Sequence, residues 1–230
     1  MSEPDWGGLT EADVDRLTVR VLRRGIGSRP EVRLIRLGGR DAVVKDYGRD
    51  GSSFKRLLGA FLAGREAAAL RRAAGVPNVP RVLGRARPWM LVIDYVDATP
   101  VTALDSPRID AAFVAELGSI IDRLHARGIA HGDLEKLDNI LVTADGHPAV
   151  VDFASAVMSG ANPVAALVLP YLRDNDERAI MKLKSRYAPE LLVADEHERL
   201  RRHSSAEEWF RRVRRFIRSR VKALVSGHAG

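Results

Sequence analysis

The stretch AHGDLEKLDNILV, residues 130–142, sets His131, Asp133 and Asn139 close together just ahead of an apolar run. Two readings are open. The trio belongs to a charged surface loop, or Asp133 handles a proton, Asn139 holds a metal ion and His131 braces the loop. A carboxylate suits proton transfer from a hydroxyl, and oxygens of Asp and Asn suit a hard divalent cation. A further carboxylate, Asp152, follows in VVDFA. Such chemistry needs its groups held by regular structure, so the flanking elements decide.

Before the loop, RIDAAFVAELGSIIDRLHARG places Ile109, Phe113, Leu117, Ile120, Ile121 and Leu124 on one helical stripe and stops at Gly128. After it, NILVTADGHPAVVDF predicts two strands joined by a turn at Asp145-Gly146. Asn139 and Asp152 therefore flank one hairpin. Earlier, TVRVL, EVRLIRL and DAVVKDY are separated by RRGIGSRP and GGR and predict a three-stranded antiparallel meander. SFKRLLGAFLAGREAAALRRAAG then predicts a helix with Phe54, Leu57, Leu58, Phe61 and Leu62 at helical spacing, ended by Gly75-Val76-Pro77. RVLGRARPWMLVIDYVD reads as two more strands, and the chain from about Asn162 as mostly helical. Residues 1–17 predict a short helix with Thr10 and Asp13 in capping-box positions. The organisation expected is an N-terminal helix over 1–17, a β-rich lobe over 18–100 and an α-rich lobe over 101–230.

Composition agrees with a folded chain. Of 230 residues, 46% are hydrophobic, enough for a core. The absence of cysteine excludes disulfides, thiolate nucleophiles and cysteine-ligated zinc. MSEPDWGGLTEADVD is acidic and has no basic region followed by an apolar run, so no signal peptide is expected. No run reaches the length of a spanning helix, and the expected location is cytoplasmic. The net charge of +7 attracts phosphates of any kind without choosing among them.

In their order, these residues resemble the protein-kinase-like fold. Lys45 ends AVVK on the third strand, Glu66 lies on the next helix, HGDLEKLDN stands at the catalytic loop and VVDFA at the metal-binding motif. The resemblance covers about residues 18–195 and implies an α+β, two-lobed fold, with a β-rich N-lobe and a reduced helical C-lobe lacking a long activation segment. It also implies ATP and Mg²⁺. Lys45 would hold the α- and β-phosphates and be oriented by Glu66; Asp152 would bind Mg²⁺, and Asp133 would accept a proton from the acceptor hydroxyl or orient it. Gly25, Gly27 and Ser28, between the first two strands, are the phosphate-loop candidates. Asp94 and Val96 complete the nucleotide-contact candidates.

The match has departures. Asp133 and Asn139 are six residues apart, one more than the signature, so either Asp138 or Asn139 stands at the second metal position; NIL leading into the strand favours Asn139. Gly132 replaces the usual arginine, which argues against switching by a phosphorylated activation loop. Ala154 replaces the glycine of D-F-G and limits flipping of that motif. The phosphate loop lacks a third glycine. Only 40 residues follow Ala188-Pro189-Glu190, so YAPEL is not expected to close a long activation segment.

Among atypical families the chain resembles RIO kinases and, through KLKSRYAPELL, the bacterial lipopolysaccharide-kinase-like proteins. The favoured acceptor is thus a saccharide hydroxyl of an envelope glycan or lipid, and a RIO-like serine/threonine protein kinase is the alternative. A nucleotide-binding pseudokinase or scaffold is a third reading, against which Lys45, Glu66, Asp133, Asn139 and Asp152 are all present. SSAEEWFRRVRRFIRSRVKALV sets Trp209, Val213, Phe216, Ile217, Val221 and Leu224 opposite a row of arginines. It reads as a closing helix or as a peripheral contact with anionic membrane at its inner face. The basic runs lack interleaved aromatics, so nucleic acid is not an expected partner.

Overall fold

A computed structural model describes residues 4–27, 29–49, 51–105, 107–161 and 163–201. Ser28 and the basic C-terminal segment with Trp209 to Leu224 lie outside the described residues. The described chain falls into two compact units, one of residues 4–64, 83–93 and 201, the other of residues 65–82 and 94–200.

The first unit opens with α1 (Glu11–Leu17). Thr10 caps it: its hydroxyl accepts from Asp13 N, and the Asp13 carboxylate accepts from Thr10 N at 3.0 Å. This capping box satisfies N–H groups that the first turn leaves over. The helix is shorter than the expected 1–17, because the chain from Pro4 to Thr10 is non-helical and buries Trp6 and Leu9 instead. Strands β1 (Thr18–Arg23), β2 (Glu31–Leu37) and β3 (Arg40–Asp46) form the antiparallel meander. Helix α2 (Ser53–Arg72), whose residues from Arg65 on belong to the second unit, follows, then β4 (Val82–Arg87) and β5 (Met90–Asp94). The sheet order is β1-β2-β3-β5-β4.

Register assigns the two faces of this sheet. Ile35 pairs with Ala42 and Arg33 with Val44, while Leu34 pairs with Val43 and Val32 with Lys45. Paired residues share a face and neighbours alternate. Ile35, Ala42 and Val44 join Met90, Val92 and Ala86 in a core that Trp6, Leu9 and Val14 cover. Lys45 belongs to the other face. Strand β1 is an edge with Val19 and Val21 exposed and its register shifted twice, irregularities that blunt an open edge.

The largest apolar residues in the first half of α2 do not form its buried face. Leu57 is 72% and Phe61 63% exposed, whereas Ala63, Glu66, Ala67 and Leu70 are buried. Small residues let this helix approach closely: a Cβ on Gly59 would lie 2.8 Å from the Tyr47 carbonyl.

In the second unit β6 (Ala98–Pro100) leads through a short 3-10 turn at Val101–Ala103 to α3 (Ala111–Ala126). Asp110 caps α3 by accepting from Phe113 N at 3.0 Å, and Gly128, at φ 71°, ends its last turn. The expected stripe is the buried one, Phe113, Leu117, Ile120, Ile121 and Leu124. Full burial of each stabilises by roughly 1.5–3 kcal/mol. Strand β7 (Ile129–Ala130) precedes the loop of interest, and β8 (Ile140–Thr143) and β9 (Pro148–Val150) form the hairpin after it. β8 lies between β6 and β9, and β10 (Val157–Met158) pairs with β7. Helices α4 (Pro163–Tyr187) and α5 (Ala194–Arg201) close the described chain. No described helix is long and apolar enough to cross a membrane.

Candidate functional site

The loop between β7 and β8 is organised around a carboxylate that no motif points to. Asp176 of α4 is 1% exposed. Its Oδ2 accepts from His131 N at 2.7 Å and its Oδ1 from Gly132 N at 2.8 Å, while His125 Nε2 of α3 lies 3.1 Å from Oδ2. A buried carboxylate needs this many donors to offset its lost hydration. One side chain thereby clamps two successive backbone amides immediately before Asp133.

Gly132 is required by this arrangement. Its φ of +72° is left-handed, and an added Cβ would meet Leu172 Cδ2 and the Ser155 carbonyl at 3.4 Å. An L-residue there is disfavoured by its own backbone, which explains glycine in place of the arginine of the signature.

His131 is a brace. It is fully buried, its Nε2 donates to the Val151 carbonyl at 2.9 Å, and its ring meets Phe153 edge-on at 4.8 Å. The catalytic-loop candidate is thus fixed to the residues on either side of Asp152. Asp152 itself is left-handed, φ 67°, at the junction of β9 with the 3-10 turn Phe153–Ser155 that contains Ala154. Aspartate is among the few residues that tolerate this conformation.

Asp133 is 15% exposed at its side chain, and its Oδ2 accepts from Lys136 Nζ at 2.8 Å. Its backbone carbonyl accepts from Asn139 Nδ2 at 2.9 Å. That bond occupies the amide nitrogen of Asn139 and leaves its Oδ1 for a cation. The competing Asp138 is exposed and accepts from the Thr102 hydroxyl. The extra residue between Asp133 and Asn139 is absorbed by Leu137, buried and left-handed at φ 61°, within a turn closed by Leu137 N on the Leu134 carbonyl at 2.9 Å. Asn139 and Asp152 then stand at neighbouring ends of the hairpin, where Val151 N donates to the Asn139 carbonyl at 3.1 Å.

Among the described residues no three His, Cys, Asp or Glu side chains cluster as an all-protein metal cage. The pair Asp152 and Asn139 does fit Mg²⁺, which keeps water and takes phosphate oxygens beside one or two protein ligands.

The remaining candidates lie elsewhere in the fold. In the first unit Lys45 is 4% exposed on β3. Gly25 and Gly27 are in the exposed turn between β1 and β2, which Arg29 N closes on the Ile26 carbonyl at 3.0 Å, with Gly27 at φ 61°. Glu66, at 1% exposure on α2, is a buried side chain and not a solvent-facing one. Asp94 Oδ2 is held by Arg81 Nε at 2.6 Å, and Val96 is half-buried after β5.

Sequence reasoning missed Asp176, His125, Lys136 and Thr102. Asp176 alone carried a signal: it stands seven residues from Leu169 and from Leu183, in phase with the buried side of α4.

The fold is protein-kinase-like. Two crystal structures of Rio2 kinase from Chaetomium thermophilum, one of them an ADP/Mg²⁺-phosphoaspartate complex, superpose with a TM-score of 0.58 at 22% identity. The superpositions cover 80% of this chain and 60% and 62% of theirs. In sequence the chain is 27% identical over 169 residues to the human serine/threonine-protein kinase greatwall. That alignment covers 66% of this chain and 19% of the relative, so the chain spans about a fifth of the curated relative it matches. No family model matches the chain.

Proposed function

We propose that the protein is an ATP-dependent kinase that moves the γ-phosphate of Mg-ATP to a hydroxyl of a protein, in the manner of a RIO-like serine/threonine kinase. The observation that carries this reading is the loop 131–139, whose backbone Asp176 clamps, with Asp133 and Asn139 tied to each other and Asp152 across the hairpin. Phosphoryl transfer asks a protein mainly for such positioning and for neutralisation of charge.

Asp133 aims the acceptor hydroxyl and takes its proton. Lys136 neutralises that carboxylate and keeps it pointed. Asp152 and Asn139 would hold Mg²⁺, which when bound neutralises phosphate charge. Lys45 would hold phosphates, with Glu66 as its orienting carboxylate, and Gly25, Gly27, Asp94 and Val96 would contact the nucleotide. The burial of Lys45 and Glu66 supports roles beyond surface solubility.

A protein acceptor is preferred over the saccharide expected from sequence because the similar proteins are named as Rio2 kinase and as a serine/threonine-protein kinase. Incubation of the protein with γ-labelled ATP and Mg²⁺, alongside protein and envelope-lipid fractions, tests the acceptor. Label in protein, on serine or threonine, is expected. Label confined to the glycan fraction restores the saccharide reading, and nucleotide binding with no transfer indicates a pseudokinase. Peripheral membrane contact of the basic C-terminal segment is a separate proposal resting on sequence alone. Salt-sensitive co-sedimentation with anionic vesicles tests it.

A further inference from the structure

Pairing of Glu31 with Asp46 puts these two residues on the face of the β1–β5 sheet opposite to Lys45. At that edge a pocket of about 210 Å³ is lined by Gly25, Arg29, Glu31, Asp46, Arg49 and Lys55. Asp46 is the anomaly in it. It is 3% exposed, its Oδ1 accepts from Gly48 N at 2.9 Å, and its Oδ2 is buried with no hydrogen-bond partner among the described residues. An ionised oxygen left without a donor in that position is costly. Burial accordingly pushes the Asp46 carboxyl up from its ordinary range, against the pull of Gly48 N–H first and then of the Arg49 charge and backbone N–H. A protonated Asp46 has an O–H to give.

The other charges around the pocket are largely matched. Glu31 pairs with Arg33 at 2.5 Å and with Arg49 at 3.3 Å. Asp15 of α1 pairs with the same two arginines, 2.8 Å from Arg49. Glu11, also on α1, adds a negative field at Asp46 and lies 3.8 Å from Arg56. On the cationic side, Arg29 is exposed and has no ion pair among the described residues. Lys55 spends one ammonium hydrogen on the Arg49 carbonyl at 2.9 Å. Among the described residues, Arg29 and Lys55 thus line the pocket with cationic groups that no carboxylate neutralises.

We propose that this pocket binds a phosphate-class oxyanion, held by the charges of Arg29 and Lys55 and by the O–H of Asp46, at a site separate from the sheet face that carries Lys45. Asp46 is the titrating member of the site. Its neighbour Asp15 is held below the usual carboxylate range by Arg33 and then Arg49, and Glu31 is ion-paired with the same two arginines, so the affinity for an anion rises as pH falls into the range where Asp46 takes up a proton.

Calorimetry on the full chain with sulfate, whose charge is constant over the working pH range, tests this at fixed ionic strength. Wild type binds sulfate more tightly at lower pH. Asp46→Asn, whose amide N–H₂ donates in place of the O–H, binds at every pH as tightly as wild type does at low pH. Arg29→Gln combined with Lys55→Gln weakens binding about tenfold or more, the loss of two charge-assisted bonds. Lys45→Met leaves binding intact. Inorganic phosphate and glycerol phosphate, compared next, report whether a free anion or an ester is preferred. Thermal melts check that each variant folds, and Arg29→Gln alone alters only an exposed side chain. The proposal is overturned if wild type binds no sulfate, if Asp46→Asn abolishes binding, or if binding follows Lys45 and not Arg29 and Lys55.

Discussion

Replacing Asp176 probes the clamp on the loop that carries Asp133. In Asp176→Ala, His131 N, Gly132 N and His125 Nε2 lose their shared acceptor. A buried group left unpaired costs about 1–3 kcal/mol. Three such groups bring the loss to roughly 3–9 kcal/mol before relaxation, comparable with the 5–15 kcal/mol by which most domains are stable. That variant is expected to unfold, so Asp176→Asn is the informative one. It keeps one carbonyl oxygen but turns an NH₂ toward a backbone N–H, for a loss of about 2 kcal/mol. Urea denaturation reads the stability, and hydrogen exchange reads the amides of His131 and Gly132. Faster exchange at these two, more than at β8 and β9, is expected, with lower turnover. Unchanged protection at both amides would refute the clamp.

Gly132→Ala forces an L-residue to φ +72° against Leu172 and Ser155 and should cost at least about 1–2 kcal/mol by thermal melt and lower turnover with it. Asn139→Ala should reduce the tightening of ATP binding by Mg²⁺ while Asp138→Ala does not, since Asp138 is engaged by Thr102; equal effects in calorimetry would return the assignment to an open choice. Asp15 titrates below the usual carboxylate range because Arg33, and then Arg49, hydrogen-bond its charged form. Its folded pKa is depressed, so its contribution is present at neutral pH and is lost as pH falls through the folded value. Asp15→Asn should remove that part of the acid sensitivity in pH-dependent melts.

Periodicity carried the elements that surround the loop. The stripe from Phe113 to Leu124 buries as spaced, and the turn at Asp145-Gly146 joins β8 to β9, because burial on one face sets both patterns. The same reasoning misplaced the buried side of α2. It weighted Leu57 and Phe61 by size, whereas close approach selected Gly59 and Ala63. The chemistry-bearing residues were legible as a motif, but not what holds them. Asp176 sits in the charged run RDNDER, where only helical phase distinguishes it from Asp174 and Glu177. The left-handed Leu137 follows from an added residue in a loop whose ends are already fixed, and no propensity predicts it for leucine.

In the proposed function Asp133 acts on the acceptor and not on the nucleotide. The most direct test measures Mg-ATP affinity by calorimetry and phosphate transfer by label, on the same preparations of wild type and Asp133→Asn. In the variant, affinity close to wild type and transfer lower by about 10² or more are expected, as for loss of a general base. Transfer by Asp133→Asn at the wild-type rate, or a wild type that binds no Mg-ATP, would contradict it.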